Sequence, residues 1–271
     1  MPLRRRNLLV LYHGSTSVCA IKVRVALAEK ALEWDGELLD LMRGDQHRPE
    51  YAKLNPNRVV PTLVHDGRVL IESTLIIEYP DEAFPLPPLM PSDPYRRALA
   101  RLWMRKIDDY LHAACSTVTF ATANRKALLR LSPEELEARF QRMPDPAYRE
   151  RQRLAILHGL DAPHVATAVR QHDRYIGEME EVLRDAPFLA GDAYSLADAA
   201  ATPYVNRAEM IGMESLWVGH RPHVGAWLAR MRERRSFDEA ITRWMSDADR
   251  ARFDVPRDET AAKIRGIVES A

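Results

Sequence analysis

Leu8-Leu9-Val10-Leu11-Tyr12-His13-Gly14-Ser15-Thr16-Ser17-Val18-Cys19 is the stretch from which the fold of this chain can be read. Its apolar start, Leu8–Leu11, predicts a strand. Ala20 to Lys30 predicts a helix with Val23, Ala26 and Leu27 on one face. Between them lies a turn with three hydroxyls. The first backbone N–H groups of a helix lack partners and the helix dipole is positive there, so a thiolate or carboxylate is stabilised at such a place. Ser17 then has two readings. It caps the helix, as serine often does, or its hydroxyl also donates to a bound thiolate. A free thiol ionises near pH 8.5. Lowering that by about two units takes about 2.7 kcal/mol, within reach of one charge-assisted hydrogen bond plus a helix end.

Outward from this stretch, residues 35–41 read as a second strand through Leu38, Leu39 and Leu41, and Arg43 to Lys53 as an irregular helix. Val59–Val64 and Arg68–Ile71 read as two strands joined at His65-Asp66-Gly67, where Asp-Gly is a strong hairpin signal. Ser73–Ala83 predicts a third helix, which Pro80 should end or kink early. The order is β-α-β-α-β-β-α, with a parallel β-α-β start and an antiparallel hairpin to follow.

Phe84–Pro91 holds four prolines and predicts a linker over 85–92, between a first domain over 7–84 and an all-helical domain over 93–250. A tail or loosely attached helix is expected over 251–271. Tyr95 to about Lys126 predicts one long helix, with Leu99, Leu102, Trp103, Lys106, Ile107 and Tyr110 on its buried stripe. Ser132-Pro133-Glu134-Glu135 opens another helix in a segment, 124–165, that carries its own Pro-broken loop.

The bulk properties narrow the classes of function. Of 271 residues 46% are apolar, enough for a sizeable core. The charge balance is zero, with 39 basic and 39 acidic residues, so nothing argues for nucleic acid or a membrane surface as partner. Two cysteines, Cys19 and Cys115, are too few for a disulfide framework and suit a reducing, cytoplasmic compartment. The arginines of Met1–Arg6 precede an apolar run too short for a signal peptide or a membrane span. The nine histidines form no ligand-spaced metal cluster.

Ser17-Val18-Cys19-Ala20-Ile21-Lys22-Val23-Arg24, then Asn55-Pro56-Asn57-Arg58 with Val60-Pro61, then Glu72-Ser73, resemble in order and spacing the glutathione-binding half of serine-type glutathione transferases. The resemblance implies a thioredoxin-like first domain, a cis Val60–Pro61 bond and glutathione as co-substrate. It implies Ser17 as the hydroxyl beside the thiol, the Val60 backbone pairing with the cysteinyl unit, and Glu72 and Ser73 holding the γ-glutamyl group. Arg58 is expected at the glycyl carboxylate, with Gln46 or His47 assisting. Tyr12, Ser15, Thr16 and Cys19 remain alternatives to Ser17. Cys19 lies two residues past the position where cysteine-type members carry their thiol.

Gly191-Asp192-Ala193-Tyr194-Ser195-Leu196-Ala197-Asp198 resembles the family's second-domain capping motif and carries the likeness across about 8–245. The layout of 124–165 resembles bacterial members related to β-aryl ether-cleaving enzymes. The family implies a homodimer and a hydrophobic electrophile as second substrate, with Tyr110, Ala114, Cys115 and Val118 as candidate pocket residues. Two further readings stay open: β-aryl ether cleavage, with Tyr110 or His112 as acid, and a non-catalytic scaffold of the same fold.

Overall fold

The computed structural model describes residues 8–270, so the arginines Arg4–Arg6 lie outside the described residues. The opening stretch forms β1 (Leu9–His13) and α1 (Val18–Glu29), followed by β2 (Asp35–Leu38), α2 (Pro49–Leu54), β3 (Thr62–His65), β4 (Arg68–Leu70) and α3 (Ser73–Ala83). The sheet order is β2-β1-β3-β4. β1 and β2 are parallel, and both other pairings are antiparallel. Asp66 and Gly67 both take positive φ, 49° and 82°, which is the turn chemistry that Asp-Gly supplies. The expected order of elements is present, although the second strand stops at Leu38, whose side chain is exposed.

Pro80 does not end α3 early. The helix continues to Ala83, where the Phe84 N–H closes on the Pro80 carbonyl. Asp81, the residue after the proline, is buried against the Lys30 ammonium at 2.9 Å and accepts the N–H groups of Leu89 and Met90, which ties the end of α3 to the segment that follows it.

The remaining helices are α4 (Pro94–Lys106), α5 (His112–Ala121), α6 (Arg125–Leu128), α7 (Pro133–Gln141), α8 (Pro146–His158), α9 (Val165–Leu183), α10 (Leu196–Met210), α11 (Pro222–Glu233), α12 (Arg235–Ala240), α13 (Asp247–Arg252) and α14 (Arg257–Glu269). The single long helix expected from Tyr95 is divided by a π-turn over Ile107–Leu111. Ala100, Trp103, Met104, Ile107 and Leu111 form the buried stripe, while Leu102 is exposed.

Two compact units result. The first comprises residues up to Met104 together with Ala193–Pro203 and Met231–Met245; the second comprises Arg105–Asp192, Tyr204–Arg230 and residues from Ser246 onward. In the second unit α5 packs on α8 and α9, and α14 docks along α9 through buried Thr260 and Ile264. Ser132 and Glu135 close a reciprocal capping box at α7, and Ser195 and Asp198 are buried and bonded to each other at the start of α10. Among the described residues no helix is long and apolar enough to cross a membrane.

Candidate functional site

The sheet register gathers the three sequence motifs at one end. Tyr12 pairs with Thr62, so the loop that follows β1 lies beside the residues that precede β3, Val60 and Pro61. Leu70 pairs with Leu63, which brings the end of β4 and the start of α3 to the same edge. Ser17, Val60-Pro61 and Glu72-Ser73 therefore lie off the same end of the sheet although 56 positions separate the first from the last.

Ser17 is the N-cap of α1, with φ −66° and ψ 120°, and its Oγ accepts the Ala20 N–H at 3.3 Å. Among the described residues the hydroxyl makes no other hydrogen bond, so its proton is left to be donated. Beneath it α1 has no polar face: nine of its twelve residues, Lys22 and Arg24 included, are buried. A buried cation must be partnered, and the partners explain the loop. Arg24 donates from Nη1 to the Gly14 carbonyl (3.0 Å) and to His13 Nδ1 (2.9 Å), from Nη2 to the Ser15 carbonyl (2.7 Å), and from Nε to the Ala240 carbonyl (2.8 Å). Its guanidinium lies 5.1 Å from the Trp244 ring, which stacks on Trp34. Lys22 Nζ donates to Thr74 Oγ1 at 2.7 Å and ties α1 to the start of α3.

His13 sits in this floor with its ring edge-on to both tryptophans. Burial first, and the Arg24 charge second, push its pKa down to about 3, so it is the neutral tautomer accepting at Nδ1. Burial also brings Arg24 down to about 9, which leaves it charged at neutral pH. Gly36 closes the space: a Cβ there would come within 3.0 Å of the Trp34 ring and 3.3 Å of His13 Nε2.

The opposite rim is built differently. Asn55 Oδ1 accepts the Asn57 N–H, and its Nδ2 donates to the Val59 carbonyl, which also receives the Tyr51 hydroxyl at 2.6 Å. This turn leads into Val60–Pro61, which is cis. Arg58, at φ 55°, is exposed. Glu72 takes φ 69° at the N-cap of α3, a region that non-glycine residues seldom occupy and that is found where function holds it. Its exposed carboxylate receives the Asn57 amide at 3.3 Å. Ser73 is buried, and its hydroxyl makes no hydrogen bond among the described residues. Gln46 and His47 share a 3.2 Å contact in a short 3-10 turn, where Gln46 Oε1 has no partner. Hydroxyl protons on Ser17 and Ser73, an exposed carboxylate on Glu72 and two helix N-termini suit a zwitterionic peptide thiol.

The alternatives fare unevenly. Tyr12 is half-buried against the Tyr51 ring at 5.7 Å, and Cys19 is half-buried inside the first turn of α1. Ala114, Cys115 and Val118, expected in a pocket wall, are core residues at 2% exposure or less in α5, a helix that packs on α8 and α9. His112 Nδ1 meets the Tyr204 hydroxyl at 3.2 Å. Burial, with Glu178 nearby, raises the Tyr110 phenol to about 12. Sequence reasoning missed His13, Trp34 and Trp244. The signal within reach was the pair of cations in a helix without a polar face.

Comparison with known proteins agrees with this geometry. A family model described as the glutathione S-transferase N-terminal domain matches residues 11–88, and one described as the C-terminal domain matches 127–235. Protein LigF of Sphingobium sp. strain SYK-6 is 30% identical over 237 residues, 85% of this chain and 92% of LigF. The crystal structure of that β-etherase matches with a TM-score of 0.75 at 29% identity, over 86% of this chain and 98% of the other. The tetrachloro-p-hydroquinone reductive dehalogenase of Sphingobium chlorophenolicum is 31% identical over 237 residues, 85% of this chain and 94% of the enzyme.

Proposed function

Starting from a chain that belongs to the glutathione S-transferase family, we propose that Ser17 is the group that activates the thiol of its co-substrate. The protein is a glutathione transferase, and glutathione supplies the nucleophilic sulfur for attack on an electrophilic small molecule. The observation that carries the assignment is the Ser17 hydroxyl: one lone pair is fixed by the Ala20 N–H, and its proton is uncommitted at the N-terminus of α1. A thiolate at that position receives the Ser17 O–H and the positive end of the helix together. Arg24 keeps the carbonyls of Gly14 and Ser15 turned down and away from the anion.

Around it, the Val60 backbone pairs with the cysteinyl unit, and Glu72 accepts from the α-ammonium. Ser73, with the first N–H groups of α3, receives the α-carboxylate, and Arg58 meets the glycyl end. The test is the thiolate absorption of a protein–glutathione mixture at pH 6.5, near two units below the ordinary thiol value. Its presence in the wild type and loss in Ser17→Ala are the expected results. No band in either protein removes this assignment.

The likeness to a β-etherase favours one reading of the second substrate, an aryl ether whose phenoxide is displaced. Turnover of a fluorogenic β-aryl ether beside an activated aryl chloride separates this from simple conjugation; turnover of the chloride alone overturns it. The protein is further proposed to work as a cytoplasmic homodimer. Both cysteines are free thiols, and Leu75 of α3 and Leu102 of α4 are exposed, at 61% and 49%. A monomer by sedimentation at micromolar concentration would contradict the dimer.

A further inference from the structure

On the assignment of Ser17 made above, we infer that Trp244 is a positioning residue for ionisation of the thiol: its indole holds the Arg24 guanidinium, as an uncancelled positive charge, against the loop that carries Ser17. Arg24 is 1% exposed, and its partners are all neutral: the carbonyls of Gly14, Ser15 and Ala240, the His13 imidazole and the Trp244 ring. Such dipoles solvate a buried charge without cancelling it, whereas most buried cations are met by a carboxylate. The charged side chains on the elements around it are engaged elsewhere. Lys22 donates to Thr74, Glu29 pairs with Arg234, Arg235 with Glu239 and Asp238 with Arg243, and Asp35 and Glu37 of β2 are exposed. A positive field therefore remains at the loop. The guanidinium bonds the carbonyls two and three positions before Ser17, and the Ser17 N–H closes on the same Gly14 carbonyl at 3.4 Å. A thiolate held at the Ser17 hydroxyl feels that field, and in a site from which water is kept out the attraction is stronger than in bulk solvent.

The indole is what keeps the water out. Hydrogen bonds occupy the edge of the guanidinium, and Trp244 covers a face, with the ring centre 5.1 Å from the guanidinium carbon. Trp244 is fixed in its turn. Its Nε1 donates to the Glu239 carbonyl at 3.0 Å, its ring stacks on Trp34 at 5.9 Å, and the His13 ring stands edge-on to it at 4.6 Å. The backbone beneath is anchored by Ala240 and Ile241, which pack with Ile21 and Val25 of α1 in one buried cluster. An aliphatic side chain in place of the indole fills part of this volume but offers no π face, so water reaches the guanidinium and screens it.

The probe is the thiolate absorbance of glutathione mixed with the full chain, followed from about pH 5 to about pH 9. In Trp244→Leu the midpoint should rise by about one unit. kcat/KM at pH 6.5 should then fall about tenfold and recover toward the wild-type value near about pH 9, with KM for glutathione unchanged. Trp244→Phe, which keeps a π face, should show less than about half of that rise. Trp34→Leu opens only the outer side of the stack, and its rise of about half a unit keeps the test in force if Trp244→Leu does not fold. A merely structural role would lower kcat/KM by the same factor at every pH. A midpoint unmoved in the folded variants, or moved as far in Trp244→Phe as in Trp244→Leu, overturns the proposal and leaves the Ser17 assignment standing. No thiolate band in the wild type overturns both.

Discussion

The two sides of the thiol site are built on opposite principles. The floor under Ser17 has a buried centre, Arg24 and His13, and is multiply bonded: one guanidinium serves three carbonyls and an imidazole, between an α-helix and two stacked, half-buried indoles. The rim formed by Arg58 and Glu72 is exposed and carries its information in backbone torsions, with φ of 55° and 69° and few side-chain partners. The side that must change a pKa is rigidly determined, because a displacement of the donor loses its effect on charge. The side that only recognises the peptide relies on weaker, solvent-screened contacts.

The comparison predicts a graded series. Ser17→Ala should lower kcat/KM by about 10²–10³-fold, the usual cost of one donor aimed at a developing or resident anion; a loss under threefold would move the chemistry to Tyr12 or Cys19. Next comes Arg24→Met. It removes the guanidinium donors from the carbonyls of Gly14, Ser15 and Ala240 in a largely buried site, and chemical denaturation should show a loss of about 3 kcal/mol or more. A variant as stable as the wild type would show that the floor is not what holds the loop.

Acid should probe the same floor. His13 is held at about 3, far below its unfolded value of about 6.5, and burial holds His172 in the second unit at about 4. The unfolded chain therefore takes up these protons first. Stability is fully present above about pH 6.5 and is lost as the pH falls toward the folded values, by up to about 1.4 kcal/mol per pH unit for each histidine. Urea unfolding at pH 7 and pH 5 should differ by about 3 kcal/mol. A flat profile would mean that neither ring is kept neutral by burial.

Effects at the rim should be smaller and of another kind. Glu72→Gln should raise KM for glutathione about tenfold with kcat little changed, as removal of a charge-assisted contact does. Arg58→Ala should change KM about threefold at most, and the change should shrink in salt. If either variant lowered kcat as strongly as Ser17→Ala, the division between floor and rim would not hold.

The sequence revealed the rim and the cap more readily than the floor, for a physical reason. Asp66-Gly67, the Asn55 turn, the Ser17 cap and the capping motif at Ser195 are local: each is settled by residues within about four positions of itself. The floor joins Arg24 to a carbonyl 216 positions away and to Trp244, and no periodicity records such a meeting. Arg24 could be placed only by its distance from Ser17, as a resemblance. Pro80 and the π-turn at Ile107–Leu111 misled for the opposite reason. A local rule applied at each and the observed helix departed from it: α3 runs three residues past Pro80, and a π-turn interrupts the stretch expected as one helix.

The reach from Arg24 to Trp244 also sets an order of assembly. During synthesis, the loop that presents Ser17 emerges early but lacks the Ala240 carbonyl and the second indole until more than two hundred further residues have been added. A nascent or truncated N-terminal segment would carry every residue of the peptide-recognising rim and an unfinished floor. Competence to ionise a thiol would then arrive after recognition, once the segment through Trp244 had been made and docked.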